Sequence, residues 1–185
     1  MTIMRLAIVL SVLAALAGCG GYAGGPHFVN AEAAPTRTMT VALLPFENLS
    51  SDPNAGQIVA QMFASELYAR NLFRLIEETE ARKRATDARI DLNLLGEKAT
   101  AGQAAAALNV DAILLGSVAE YRYQHGLKEE PSVGLSARLV RRDGTVLWAT
   151  SQATVGGGVL QRGSLSATAQ DLVSTMVQAL AGASR

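Results

Sequence analysis

Few side chains in this chain could carry nucleophilic, metal or acid–base chemistry. Its 185 residues include one cysteine, Cys19, and two histidines, His27 and His125. A structural zinc site takes about four thiolate or imidazole ligands, so these scattered groups predict no metal centre. His125 stands near one acidic pair, Glu129-Glu130, in a stretch read as a loop between strands. A general base needs a nucleophile and an orienting partner within hydrogen-bond reach. The sequence nominates neither, which makes His125 a surface histidine. Gly134-Leu135-Ser136-Ala137-Arg138 lacks the closing glycine of a nucleophile elbow and lies in an expected strand, so Ser136 reads as a strand residue. Gly156-Gly157-Gly158 has no Lys-Ser or Lys-Thr behind it and reads as a flexible loop, not a P-loop. Trp148 is expected in a core or an interface. The chain is therefore expected not to be an enzyme.

Sixteen Lys and Arg against sixteen Asp and Glu leave no net charge, and only 17 % of residues are charged. A nucleic-acid binder needs a basic excess to displace counterions from phosphates, so no nucleic acid is expected as a partner. One cysteine makes no internal disulfide. The length suits a single domain, and a hydrophobic share of 49 % suffices for its core.

Residues 1–18, MTIMRLAIVLSVLAALAG, place one positive charge at Arg5 before an apolar run from Leu6 to Ala17. That is the pattern of a secretory signal peptide, and the run is too short for a spanning helix of about 20 residues. Leu16-Ala17-Gly18-Cys19 resembles the bacterial lipobox, in which small residues admit the peptidase before a cysteine whose sulfur takes lipid. The sole cysteine stands at the one place a lipobox needs it. Lipidation at Cys19, with palmitate-type chains contributing about 0.8 kcal/mol per buried methylene, would be the only covalent addition, with no cofactor and no metal. Gly20 follows it instead of the aspartate that resembles an inner-membrane retention signal, so the resemblance implies the outer membrane, periplasmic face.

Three segments follow from this reading: a lipoprotein signal peptide at 1–18, a lipidated cysteine with a flexible tether at 19–38, and one α/β domain at 39–185. Gly20 to Thr38 is rich in Gly, Ala and Pro without periodicity. Its 19 or so residues reach at most about 65 Å at roughly 3.4 Å each, and His27 is read as a solvated tether residue.

In the domain, Met39 to Phe46 is a continuous apolar run closed by Pro45, the pattern of a strand covered on both faces. Asp52 is the expected N-cap and Pro53 the first residue of a helix reaching Asn71, with Ile58, Val59, Met62, Phe63 and Leu67 inward. Leu72 to Ile76 reads as a short strand. Glu77 to Arg84, acidic first and basic last, reads as a solvated helix. Thr100 to Asn109 is an alanine-rich helix capped by Thr100, and the stretch through Asp91, Leu94 and Leu95 is ambiguous. Asp111 to Tyr123 is a long strand, apolar on both faces to Leu115, with Ala119, Tyr121 and Tyr123 then alternating against Glu120 and Arg122. Val133 to Leu139 and Thr145 to Ala153 form a hairpin across Asp143-Gly144. A last helix starting at Ser164 points Leu165, Ala169, Leu172, Val173, Met176 and Leu180 inward. The order β-α-β-α-α-β-β-β-α implies a mixed β-sheet packed by helices.

VALLPFENLSSDP, LNVDAILLGSVAEYRYQHGL, EEPSVGLSARLV and GTVLWATSQA resemble the envelope lipoproteins grouped around curli-secretion and penicillin-binding-protein-activator lipoproteins. The shared features are an opening strand ending in Pro-Phe, an apolar strand running into Gly-Ser, and a hairpin ending near Val-Leu-Trp. Gly116 to Tyr123, with Gly126-Leu127 and Glu130-Pro131, is most similar to PelC-type outer-membrane lipoproteins of Pel exopolysaccharide export.

That resemblance implies a non-catalytic subunit of a homo-oligomeric, dodecamer-type ring under an outer-membrane export porin, guiding a cationic polysaccharide to the pore. Carboxylates around such a ring would focus a field on a polycation. With Arg5 removed, fifteen cations face sixteen acids, so a funnel has to come from segregated charge. Glu77, Glu78, Glu80, Glu129 and Glu130 are the candidate polymer-facing acids. Relatives present an aromatic residue to the membrane before the final helix; Val159-Leu160 stands there as the candidate membrane-proximal apolar pair. The alternative is a lipoprotein activator of a penicillin-binding protein, which the short tether disfavours. A curli-type channel subunit would need a long amphipathic insertion to donate membrane strands, and an enzyme is the last class.

Overall fold

In the computed structural model, residues 25–76, 78–90, 98–125, 129–156 and 163–185 are described. Seven strands form one mixed sheet: β1 (His27–Val29), β2 (Thr40–Leu43), β3 (Glu47–Asn48), β4 (Arg74–Ile76), β5 (Ala112–His125), β6 (Glu129–Arg141) and β7 (Val146–Val155). Four helices pack on it: α1 (Ala55–Ala69), α2 (Glu78–Asp87), α3 (Lys98–Ala107) and α4 (Leu165–Ala183). The spatial order is β1-β7-β6-β5-β2-β4, with β3 also along β5. β2 runs parallel to β4 and β5, whereas β6 is antiparallel to both β5 and β7. The C-terminal ends of β2, β4, β5 and β7 therefore share one end of the sheet with the start of β6. We call it the upper end.

The apolar runs explain the layers. Val41, Ala42, Ile113 and Leu114 are fully buried, because β2 and the start of β5 lie between helices on both faces. One face packs on α1 and α4 through Val59, Phe63 and Leu67 and through Leu172, Met176 and Leu180. The other packs on α2 and α3 through Ala81, Ala85, Ala101, Ala104 and Ala105, whose small side chains let helix and sheet approach closely. That second cover stops at Leu115 and Val140, the last strand residues it buries. Further along the same face, Ser117 and Ser136 are half-buried and Ser151 is exposed.

The mixed α/β fold is as expected, and several details differ. Residues 27–29, read as tether, form edge strand β1 on β7, with His27 opposite Thr150 and Phe28 opposite Ala149. The His27 ring is exposed but lies edge-on to Trp148 at 6.1 Å between centroids. α1 starts at Ala55 behind N-cap Asn54. Asp52 instead makes an Asx turn, its Oδ1 accepting from the Asn54 N–H at 2.9 Å. Thr100 lies inside α3, two residues after its start at Lys98, and is not its N-cap. α2 runs on to Asp87 and buries Ala81 and Ala85, so it is amphipathic and not solvated all round. Glu129 and Glu130 belong to β6, opposite His125 and Gln124, because the β5–β6 ladder continues almost to its tip. The alternation in β5 resets at a bulge between Val118 and Glu120, so Val118 and Tyr121 both face the core while Ala119 is exposed. The Arg142-Asp143-Gly144 turn and the last helix are as read: Gly144 takes φ 83°, and the Ser164 hydroxyl accepts from the Ala167 N–H. Asp91, Leu94 and Leu95 lie outside the described residues.

Candidate functional site

Where α2 and α3 leave the sheet bare, an open groove of about 920 Å³ remains. Its floor is β5, β6 and β7 at Ser117, Ser136 and Ser151; Phe28 of β1 and Arg82 of α2 stand among its walls, and Pro45, Glu47 and Asn48 complete the rim. The two central hydroxyls bond each other, Ser117 Oγ to Ser136 Oγ at 2.7 Å. Ser136 is thus a strand residue, with no base against it among the described residues.

Two glycines shape the rim. The chain bends at Pro45-Phe46 between β2 and β3, and the Phe46 ring lies over Gly116 of β5, where a Cβ would stand 2.1 Å from ring carbon Cε2. A Cβ on Gly56 would stand 2.2 Å from the Phe46 carbonyl oxygen. Beyond the bend the chain is held by its own polar groups. The Asn48 amide donates to the Asp52 carbonyl at 2.6 Å, the Ser50 hydroxyl donates to Asn48 Oδ1 at 2.7 Å, and the Leu49 N–H donates to the Val118 carbonyl at 2.9 Å. Leu49 is held out at 61 % exposure by that rigid loop.

Above the groove the bulge turns Glu120 onto the open face. Its Oε1 accepts from Gln124 at 3.1 Å and meets Arg122 at 2.8 Å. Hydrogen bonds from Ser132 and Gln124, and the Arg122 charge, hold this carboxyl below the ordinary glutamate range. At the tip of the ribbon, His125 Nδ1 lies 3.3 Å from Glu129 Oε1, and both side chains are more than two-thirds exposed. In α2, Arg84 donates to Glu80 Oε1 at 2.7 Å and lowers its pKa.

The described candidate acids lie at two levels. Glu129 and Glu130 start β6 at the tip of the β5–β6 ribbon, opposite His125 and Gln124, whereas Glu80 lies in the first turn of α2 after β4, Glu47 of β3 pairs with Ser117 further back along β5, and Asp52 lies in the β3–α1 connection. Glu77 and the side chain of Glu78 lie outside the described residues, as do Cys19, Val159 and Leu160. The opposite end carries Arg37, Arg74, Arg142 and Arg185, together with Asp111 and an Arg141–Asp143 pair at 2.6 Å. The alternation placed Glu120 on the face opposite Tyr121 in the sequence, but not the contacts with Ser132, Gln124 and Arg122 that single it out, which depend on the bulge and the register. Trp148 is fully buried, as expected of a core residue. Among the described residues no three His, Cys, Asp or Glu side chains converge as a metal site, and no helix is long and apolar enough to cross a membrane. The site presents hydroxyls, carboxylates and apolar edges, and among the described residues no nucleophile is paired with a base.

No protein-family model and no curated protein matches the chain. Its fold is found in solved structures. It is similar to PelC of Paraburkholderia phytofirmans, described as a dodecamer, at 23 % identity and TM-score 0.62, covering 86 % of this chain and 96 % of that one. It is also similar to lipoprotein GNA1162 of Neisseria meningitidis at 21 % identity and TM-score 0.58, covering 77 % and 98 %. Protein XCC0632 of Xanthomonas campestris shares the fold at 8 % identity and TM-score 0.50, covering 84 % and 91 %. At these identities it is the fold that is shared.

Proposed function

We propose that this chain is a non-catalytic, lipid-anchored accessory protein of exopolysaccharide export. It is held by acyl chains on Cys19 at the periplasmic face of the outer membrane. It assembles as a homo-oligomeric ring beneath an export porin and steers a cationic polysaccharide into the pore. The observation that carries this reading is the placement of Glu129 and Glu130 at the free end of the β5–β6 ribbon of a nearly neutral subunit. Repeated around a ring, that end presents many like charges close together, and such a field raises the local concentration of a polycation and orients its approach. The resemblance to PelC, whose solved form is a dodecamer, supports the ring.

Steering of this kind is electrostatic, so salt weakens it over a Debye length of about 8 Å at 0.15 M. The acylated full-length protein in mild detergent is expected to bind chitosan oligosaccharides with an affinity that falls with salt and falls again in Glu129→Gln/Glu130→Gln. Absence of binding, or binding indifferent to both, overturns the reading. Cys19→Ala is expected to release the protein from the outer-membrane fraction and to abolish polymer export. Export at the original level from the unlipidated chain refutes the anchor.

A further inference from the structure

Strand β7 is longer than its partner on the outer edge of the sheet. It runs over Val146–Val155, whereas β1 pairs only with Trp148, Ala149 and Thr150. The ladder nevertheless stays in phase past both ends of β1. The Asn30 N–H donates to the Leu147 carbonyl at 2.9 Å, and the Ser151 N–H donates to the Pro26 carbonyl at 3.2 Å. Bonded pairs of an antiparallel ladder recur at every second residue, so the backbone groups of Ala153 and Val155 are the next to face outward. Among the described residues no strand pairs with them on that side. An open edge of this kind is a template for one more extended segment.

Two observations and a length say which segment fits. Gly25 already follows this edge: a Cβ there would stand 1.8 Å from the Ser151 carbonyl oxygen and 3.3 Å from the Gln152 Cα, so the chain comes in along β7 in contact with its backbone. Val155 stays 51 % exposed, on the groove face of β7 with Ser151 and Ala153. With Cys19 as the first residue of the mature chain, only residues 20–25 separate it from Pro26. At about 3.4 Å per residue they span roughly 20 Å when extended. The open stretch of β7, residues 152–155, has room for the last four of them.

We propose that residues 22–25 prolong β1 along the free edge of β7, so that the lipid anchor leaves the domain at the upper end of the sheet. The register continues from His27 opposite Thr150. It sets Gly24 opposite Ala153 and Tyr22 opposite Val155, with the tyrosine on the groove face as a cover for the exposed valine. Pro26 gives up one ladder bond for want of an N–H, which an edge strand tolerates. This placement rests on the lipid-anchored reading, because the segment is short only when Cys19 starts the chain. Its consequence is that the domain hangs from its upper end and does not swing on a loose tether.

The test uses the acylated full-length protein purified from outer membranes in mild detergent, with free thiols counted after denaturation and acylation read from the intact mass. Tyr22→Cys/Val155→Cys is expected to form a disulfide in the oxidising periplasm. Tyr22→Cys/Ser151→Cys is expected to stay reduced, because four residues of register hold its cysteines about 13 Å apart, beyond the roughly 4.4–6.8 Å between Cα atoms that a disulfide takes. Val155 and Ser151 are exposed, so neither change disturbs the core. In hydrogen exchange, the Ala153 and Val155 amides are expected to exchange about tenfold faster in Gly24→Pro than in wild type. Bridging of both pairs alike, bridging of neither, or exchange unchanged by Gly24→Pro, in a protein whose mass includes the acyl chains, overturns the added strand and leaves the anchor standing. A chain without acyl groups on Cys19 overturns the anchor and the strand with it.

Discussion

Gly116→Ala is the smallest change that tests how the groove is built. The new Cβ would stand 2.1, 2.3 and 2.5 Å from three carbons of the Phe46 ring, where ordinary contact starts near 3.4 Å. The ring has to retreat by about an ångström, and little around it yields. It is 4 % exposed, packs on Phe63 at 4.9 Å between centroids, and its carbonyl already presses on Gly56. Overpacking of a filled core costs about 1–3 kcal/mol, and full loss of a buried phenylalanine about 3–5 kcal/mol. We expect about 3 kcal/mol, which at roughly 2–4 °C per kcal/mol for a chain of this size lowers Tm by about 6–12 °C. The assay is urea unfolding of the full chain followed by far-ultraviolet circular dichroism, on wild type, both single variants and the double variant. Phe46→Ala alone is expected to cost about 3–5 kcal/mol. Gly116→Ala/Phe46→Ala should cost no more, because the methyl then occupies space the ring has left. The coupling is thus about 3 kcal/mol. Additive single effects, or a neutral Gly116→Ala, would refute the clash.

Three further outcomes follow from burial and hydrogen bonding elsewhere in the domain. Trp148 is fully buried and its Nε1–H has no partner among the described residues; because Phe removes that orphan donor, Trp148→Phe should cost under about 2 kcal/mol against about 3–5 for Trp148→Ala, read from urea midpoints. Glu120 titrates below the ordinary value of 4.5, so its contribution to stability is full above that pH and is lost as acid protonates the folded carboxylate. Unfolding of Glu120→Gln should accordingly depend less steeply on pH than wild type below about pH 4.5. Removing the hydroxyl that caps α4, Ser164→Ala, should cost about 0.5–2 kcal/mol in the same unfolding assay, and no loss would mean that the cap bond contributes nothing.

Much of the frame was legible in the chain because it is written in local periodicity. The unbroken apolar run Val41 to Leu44, the three- and four-residue spacing of Leu172, Met176 and Leu180, and Asp143-Gly144 before Thr145 each report a choice made within a few residues. The errors fall where a distant partner overruled the local pattern. His27–Val29 looks like tether until β7 offers an edge to pair with. Glu129 and Glu130 look like loop until the β5–β6 ladder carries them into register with Gln124 and His125.

By itself, then, the sequence determined a set of apolar stripes that had to pack as a mixed sheet with helices, and Arg5 through Cys19 carry a pattern that resembles a lipoprotein signal. It also set the counts of one cysteine and two histidines, since composition bounds chemistry before any folding. Only the tertiary structure decided that Ser117, Ser136 and Ser151, far apart in the chain, would line one groove floor, and that Phe46 would rest on Gly116. It alone set Glu129 and Glu130 opposite His125 and Gln124 at the tip of the β5–β6 ribbon. Those placements depend on strand order and register, which are fixed by long-range pairing. A one-residue slip turns every side chain of a strand to the other face while leaving its sequence unchanged.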